Sequence, residues 1–290
     1  MGISVGLCAQ LACIWEVTAR KPGNVHRGCD FEDVTLIDFL ASAAALGPVF
    51  DPAPGQRVGR IILEAVRATR QVVATNTNLG IILLLAPLAA VSESEALTTG
   101  VARVLHALDV EDARLAYEAI RLAAPGGMGR VSEQDVQEEP TETLRQVMTR
   151  AAERDLIARQ YANGFREVLH DGVPALERGL QKAIGLENAI IACHLHLLAQ
   201  HPDTLIARKR GREEAEAASR LARQVIENGW PEQEAGRKAL AALDTWLRAD
   251  GHARNPGTTA DLVTACLFVA LRQELITLPL KASGWSTAAV

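Results

Sequence analysis

Aromatic side chains are scarce: five Phe, two Tyr and four Trp make up only 4% of 290 residues. Sheet proteins draw on aromatic and β-branched residues, whereas this chain draws on Ala, Leu and Arg, so helix is favoured. A basic surplus is also missing. Thirty Lys plus Arg stand against 35 Asp plus Glu, a net charge of -5 and a pI near 5.9, which argues against a general nucleic-acid binder. The five cysteines (Cys8, Cys13, Cys29, Cys193, Cys266) are odd in number and include no Cys-x-x-Cys pair. They offer neither a zinc site nor a disulfide framework, and read as reduced thiols in a cytoplasm. The apolar run from Gly80 to Val91 is too short to span a bilayer, so no membrane role is expected. The opening stretch, MGISVGLCAQLACIWEVTAR, has no early basic region and is broken by Glu16, which reads as an amphipathic helix and not a signal peptide.

What is present is helical spacing. Apolar residues recur at i, i+3, i+4 and i+7 almost everywhere, with no alternating strand. The spacing predicts helices over 3–19, 32–46, 55–74, 79–91, 93–107, 110–123, 141–169, 172–181, 185–200, 212–228, 232–249 and 258–276. The expected fold is all-α, a single domain over 1–290 built from about twelve helices. Ser92 with Glu95 has capping-box spacing, Thr141 is a second cap candidate, and Asp109 with Glu111 and Asp112 puts acids in a first helical turn. Pro48, Pro52 and Pro54 break the chain, and the Gly-rich turn at 124–131 could divide two helical lobes. The acidic stretch from Ser132 to Pro140 reads as an exposed loop.

Against this background, four polar islands carry the chemistry. The first runs from Ala19 to Asp33 and sets Arg20, Lys21, His26 and Arg27 on a Pro-Gly turn after a helix. Such cations can clamp phosphate, or simply cap the helix end. The second, Thr75-Asn76-Thr77-Asn78, precedes the most apolar helix, where hydroxyls, amides and free N–H groups can face an anion; one such residue would suffice as a cap. In the third, Asp203-Thr204 is followed by Arg208-Lys209-Arg210, an acid for a metal and cations for phosphate, or else a solvated charge run. In the fourth, Pro256-Gly257-Thr258-Thr259 opens a buried helix with Asp261 one turn inside. His194 and His196 lie two apart and share no helical face, which disfavours a metal pair there.

Taken in order, these islands resemble the triphosphoribosyl-dephospho-CoA synthase family. The likeness runs through Glu16 and the Lys21-Pro22-Gly23 turn, then Asp33, Phe39 and Ser42. It continues with the Asn-Thr-x-x-Gly turn at Asn76, Asp203-Thr204 with a following Arg, and Pro256-Gly257 leading to Ala260-Asp261-Leu262. The departures are specific. The family's Gly-x-Asn-Thr-His-Lys-Gly turn is here Thr75-Asn76-Thr77-Asn78-Leu79-Gly80, an expected acid is His26, a His is Phe31, and Asp203-Thr204 lacks a following Asn.

The resemblance implies a helical transferase that joins the triphosphoribosyl group of ATP to dephospho-CoA or a related cofactor precursor, releasing adenine, with Mg²⁺ and with homo-oligomers as an open option. Under it, Lys21, Arg27 and Arg208 are phosphate clamps, and Asn76 and Thr77 orient the nucleotide. Asp203 and Asp261 are magnesium ligands, Asp33 or Glu16 the base for the acceptor hydroxyl, and His26 an acid or base near neutral pH. Two alternatives stay open: phosphoribosyl-type transfer onto another acceptor, such as a methanopterin-type one-carbon carrier, and a non-catalytic nucleotide-binding helical protein. All four islands are expected to converge on one cleft.

Overall fold

The computed structural model describes residues 2–124, 136–182, 185–280 and 285. Among them are fourteen α-helices and no strand; the only β-type pairing is an isolated bridge between His26 and Cys29. In chain order the helices are α1 (Val5–Thr18), α2 (Leu36–Phe50), α3 (Val58–Val72), α4 (Leu79–Ala89), α5 (Leu97–Ala107), α6 (Val110–Ala123), α7 (Leu144–Ala151) and α8 (Leu156–Asn163). A π-helical turn (Glu167–Gly172) follows, then α9 (Val173–Gln181), α10 (Leu186–Gln200), α11 (Thr204–Arg210), α12 (Arg212–Glu227), α13 (Glu234–Arg248) and α14 (Gly257–Arg272).

The chain divides into two compact units, residues 1–14 with 37–166, and residues 15–36 with 167–290. The Gly-rich turn expected at 124–131 lies outside the described residues from 125 onwards, as does the start of the expected acidic loop up to 135; of the rest of that loop, Gln137, Glu138 and Glu139 are exposed and Pro140 is buried.

In the first unit α3 packs on α6 so closely that a Cβ on Gly59 would come within 2.7 Å of the Asp112 backbone. The Asp112 carboxylate accepts from Gly59 N–H at 2.8 Å, and with Asp109 it closes the capping box that starts α6. Helix α4 is buried along almost its whole length, as its unbroken apolar sequence requires, and Tyr161 donates to the Leu83 carbonyl at 2.6 Å.

Helix α10 of the second unit packs between α9 and α12. Ile191, Leu195 and Leu198 form a core with Ala215, Ala218, Ala222, Leu240, Leu243 and Leu247. The Cys193 and Cys266 thiols point at the Gly172 and Val168 carbonyls of the π-helical turn, so these cysteines serve packing.

Three element expectations change. The helix expected over 141–169 is three segments, because Asp155 caps α8 through the Ile157 and Ala158 amides, and Gly164 and Phe165 both take positive φ. Ser92 heads a turn and α5 starts at Leu97; the cap of α7 is Thr143 with Gln146, two residues beyond Thr141. The short α11 was not expected, since seven residues carry too little periodicity to register.

Candidate functional site

Three of the four polar islands meet within the second unit. The turn after α1 is tied to the start of α14 by Asn24, whose Nδ2 donates to Asn255 Oδ1 at 2.6 Å. Gly23 N–H donates to Asp244 on α13 at 2.7 Å; its φ of 77° and the Leu247 and Pro256 side chains, within 3 Å of a notional Cβ, leave room for glycine alone. The third and fourth islands are joined by Asp203. Its Oδ1 accepts from the Leu205 and Ile206 amides, capping α11, while its Oδ2 accepts from the Thr259 amide (2.7 Å) and hydroxyl (2.8 Å) in the first turn of α14. Thr204 and Thr258 hydroxyls are 3.2 Å apart beside it. The second island, Thr75 to Asn78, belongs to the first unit. There Asn76 Oδ1 accepts from Leu79 N–H at the start of α4, the Thr77 and Ser42 hydroxyls are 2.6 Å apart, and Asn78 donates to Thr69 at 3.1 Å. Asn76 is exposed, whereas Thr77 and Asn78 are buried.

Several expected roles meet a different setting. Lys21 is fully buried, and its ammonium bonds the Glu16 carboxylate at 2.9 Å together with the Glu16 and Ala19 carbonyls. An ammonium has three protons, and all three are engaged, so this arrangement leaves none for a phosphate. Glu16 is buried with it, and burial pushes its carboxyl up despite the lysine; it is a partner of Lys21 before it is a base. Asp203, expected to hold magnesium, is fully buried and uses both oxygens on the two helix starts. Burial raises its carboxyl even against those donors. His26 is the third correction. Its Nδ1 accepts from Gly28 N–H at 3.1 Å, and burial, then the charges of Arg248 and Lys21, push it down to about 4. At neutral pH the imidazole is uncharged and is no acid.

That shift has a sign. Between about pH 6.5 and 4 the unfolded chain holds a proton on His26 that the folded chain does not, so stability falls as pH drops through that window. A His26→Asn variant should therefore lose less melting temperature over the window than the parent, by roughly 2–4 °C, the scale of about 1 kcal/mol in a chain of this size. Equal slopes in calorimetric melts would remove His26 from the acid response.

The remaining candidates are more open. Arg208 is exposed on α11, and Lys209 beside it donates to the His252 carbonyl at 3.3 Å. Asp33 is exposed and lies 3.2 Å from His252 Nδ1. Asp261 is half-buried on α14. Arg27 shares Glu187 with Arg20, at 2.8 and 2.9 Å, and that carboxylate is fully buried at the start of α10. Glu187 went unnoticed in the sequence because an acid in a first helical turn is ordinary dipole chemistry. Arg248 was missed as well, since nothing local distinguishes a cation in the last turn of α13. Among the described residues no group of three or more His, Cys, Asp or Glu side chains is arranged to hold a metal, and no helix is long and apolar enough to cross a membrane.

An all-helical protein whose cationic turns gather around helix starts is the class that this fold and site define. The chain belongs to the CitG family, ATP:dephospho-CoA triphosphoribosyl transferase, whose model matches residues 3–278. It is 33% identical over 172 residues to a Pseudomonas syringae pv. syringae protein named "Probable 2-(5''-triphosphoribosyl)-3'-dephosphocoenzyme-A synthase", covering 56% of this chain and 54% of that one. A protein of the same name from Azotobacter vinelandii is 26% identical over 262 residues, 90% of this chain and 86% of its own. The match to the first of these relatives thus spans about half of its length. A solved structure titled "Crystal structure of putative triphosphoribosyl-dephospho-coA synthase from Archaeoglobus fulgidus" superposes with a TM-score of 0.64 at 30% identity, over 81% of this chain and 98% of that one.

Proposed function

We propose that the chain transfers the triphosphoribosyl group of ATP to dephospho-CoA and releases adenine, as part of making a cofactor. The family match over residues 3–278 carries this reading. In the reaction an acceptor hydroxyl oxygen bonds to the anomeric carbon of the ATP ribose, the carbon–nitrogen bond to adenine breaks, the hydroxyl proton passes to a base, and adenine leaves with a proton. The second unit supplies cations for the triphosphate, with Arg208 exposed on α11 and Arg27, also exposed, holding one edge to Glu187. Asp33 is the accessible carboxylate for the acceptor hydroxyl, 62% exposed where Glu16 is almost wholly covered.

Magnesium is proposed to accompany the triphosphate, neutralising it as it is gripped. Mg²⁺ takes one or two carboxylates plus phosphate oxygens and water. Asp203 does not fit that part because both oxygens are taken; Asp261 is the carboxylate proposed for it.

The test is direct. Purified protein with Mg²⁺, ATP and dephospho-CoA should release adenine, scored by chromatography, only when all three are present. ATP bound without release would favour a non-catalytic nucleotide-binding protein. Release that requires a different acceptor would favour the alternative transfer. Arg208→Ala should raise KM for ATP about tenfold, the ~1.4 kcal/mol scale of one charged contact, while leaving the melting temperature within about 1 °C because the side chain is exposed.

A further inference from the structure

Beside the phosphate-type cations of the second unit lies a cluster of another kind. Phe31 is half-exposed at the end of the first island. The Arg248 guanidinium lies over its ring, 5.5 Å from the centroid, and the His252 ring meets it edge-on at 5.6 Å and 70°. Beneath this surface two polar atoms are buried without partners, Asn24 Oδ1 and Arg248 Nη1. The two residues meet, since Arg248 Nη2 donates to the Asn24 backbone carbonyl at 2.5 Å. The rest of both side chains is used: Asn24 Nδ2 on Asn255, Arg248 Nε on Asp244 at 2.8 Å. Asn24 is 95% covered, as its 5% exposure states.

An unpaired buried polar atom costs about 1–3 kcal/mol, so two of them on touching residues call for a ligand that completes both. One is an acceptor and the other a donor. A phosphate offers only acceptors and would be repelled by Asn24 Oδ1. The edge of adenine offers both, an exocyclic amine beside a ring nitrogen, and its faces stack on aromatic rings and guanidinium planes.

We propose that Phe31, Arg248 and His252 seat an adenine ring, with Asn24 Oδ1 accepting from its amine and Arg248 Nη1 donating to a ring nitrogen. The Phe31 ring, which lies against the guanidinium, turns to stack on the base and opens the Arg248 side chain to it. This site rests on the reading of the chain as acting on ATP and dephospho-CoA, both of which carry adenine, and the proposal is for the base as such.

Binding alone tests it, independently of turnover. Calorimetry would use adenosine, inosine, inorganic triphosphate, ATP and dephospho-CoA, each with the parent chain, Phe31→Ala and Phe31→Trp. Adenosine is expected to bind the parent, to weaken about tenfold in Phe31→Ala as stacking is lost, and to recover in Phe31→Trp with quenching of the new indole. Inosine, whose edge reverses donor and acceptor, is expected to bind at least about tenfold more weakly than adenosine. Triphosphate affinity should not change between variants. An equal loss confined to ATP assigns the site to the donor, and one confined to dephospho-CoA to the acceptor. Adenosine that fails to bind the parent, binds Phe31→Ala as tightly, or is matched by inosine would overturn the proposal. So would a triphosphate affinity that falls alongside. If adenosine behaves as expected but no adenine is released from ATP and dephospho-CoA, the base site stands and the assigned reaction fails.

Discussion

Replacing Lys21 by Met should cost about 3–5 kcal/mol of stability, lowering the melting temperature by roughly 10 °C, because it strands the buried Glu16 carboxylate. The side chain is wholly covered and both partners sit in the same unit, so water cannot substitute for the ammonium. A cation that merely capped α1 would contribute about 0.3–1 kcal/mol, well below this. The loss should also acquire a pH dependence. Without Lys21, Glu16 keeps the burial that already raises its carboxyl and loses the charge that opposes it. The folded variant then holds a proton that the unfolded chain gives up, so stability falls as pH rises above the ordinary carboxylate value and returns on acidification. Glu16→Gln combined with Lys21→Met should recover much of the loss, since neither charge is then buried alone. Melts of the parent and the two variants at pH 5 and pH 8 would measure this; an unchanged melting temperature in Lys21→Met would mean that the ammonium is not committed to Glu16 in solution.

The second large effect is expected at Asp203. Asp203→Asn keeps an oxygen to cap α11 but turns an N–H₂ towards the Thr259 N–H, a donor facing a donor, while the Thr259 hydroxyl can rotate to accept. A buried N–H left unpaired costs about 1–3 kcal/mol, so a destabilisation of about that size is expected. The joint between α11 and α14 carries Arg208 on one side and Asp261 on the other, so ATP affinity should fall as well. The order of these effects separates the readings. If Asp203 is the joint, chemical denaturation without ligand shows the loss and added Mg²⁺ does not restore it. A variant as stable as the parent, with only magnesium-dependent nucleotide binding impaired, would return Asp203 to the metal.

The composition of the chain already contained the helical fold. Few aromatics, no alternating pattern and a 3.6-residue period leave no other way to bury so much Ala, Leu and Val, and the helix start at Asp109 could be read from its acids, although that they form a capping box, where Ser92 and Glu95 do not, emerged only from the structure. The order of the polar islands likewise carried the family, through turns that are contiguous in the chain. The fates of single side chains were not legible in this way. Lys21 and Arg208 are both cations in polar islands, yet one is sealed against Glu16 and the other is exposed. Asp203 reads as a ligand until Thr259, 56 residues on, takes its second oxygen. Asn24 and Arg248 lie 224 residues apart, and nothing near either announces that they meet or that each holds an unpaired atom. Local rules decide helices and turns because their hydrogen bonds close within about four residues. Burial and partnership are decided by segments distant in sequence, and it is burial and partnership that determine whether a charge holds the fold together or remains to meet a substrate.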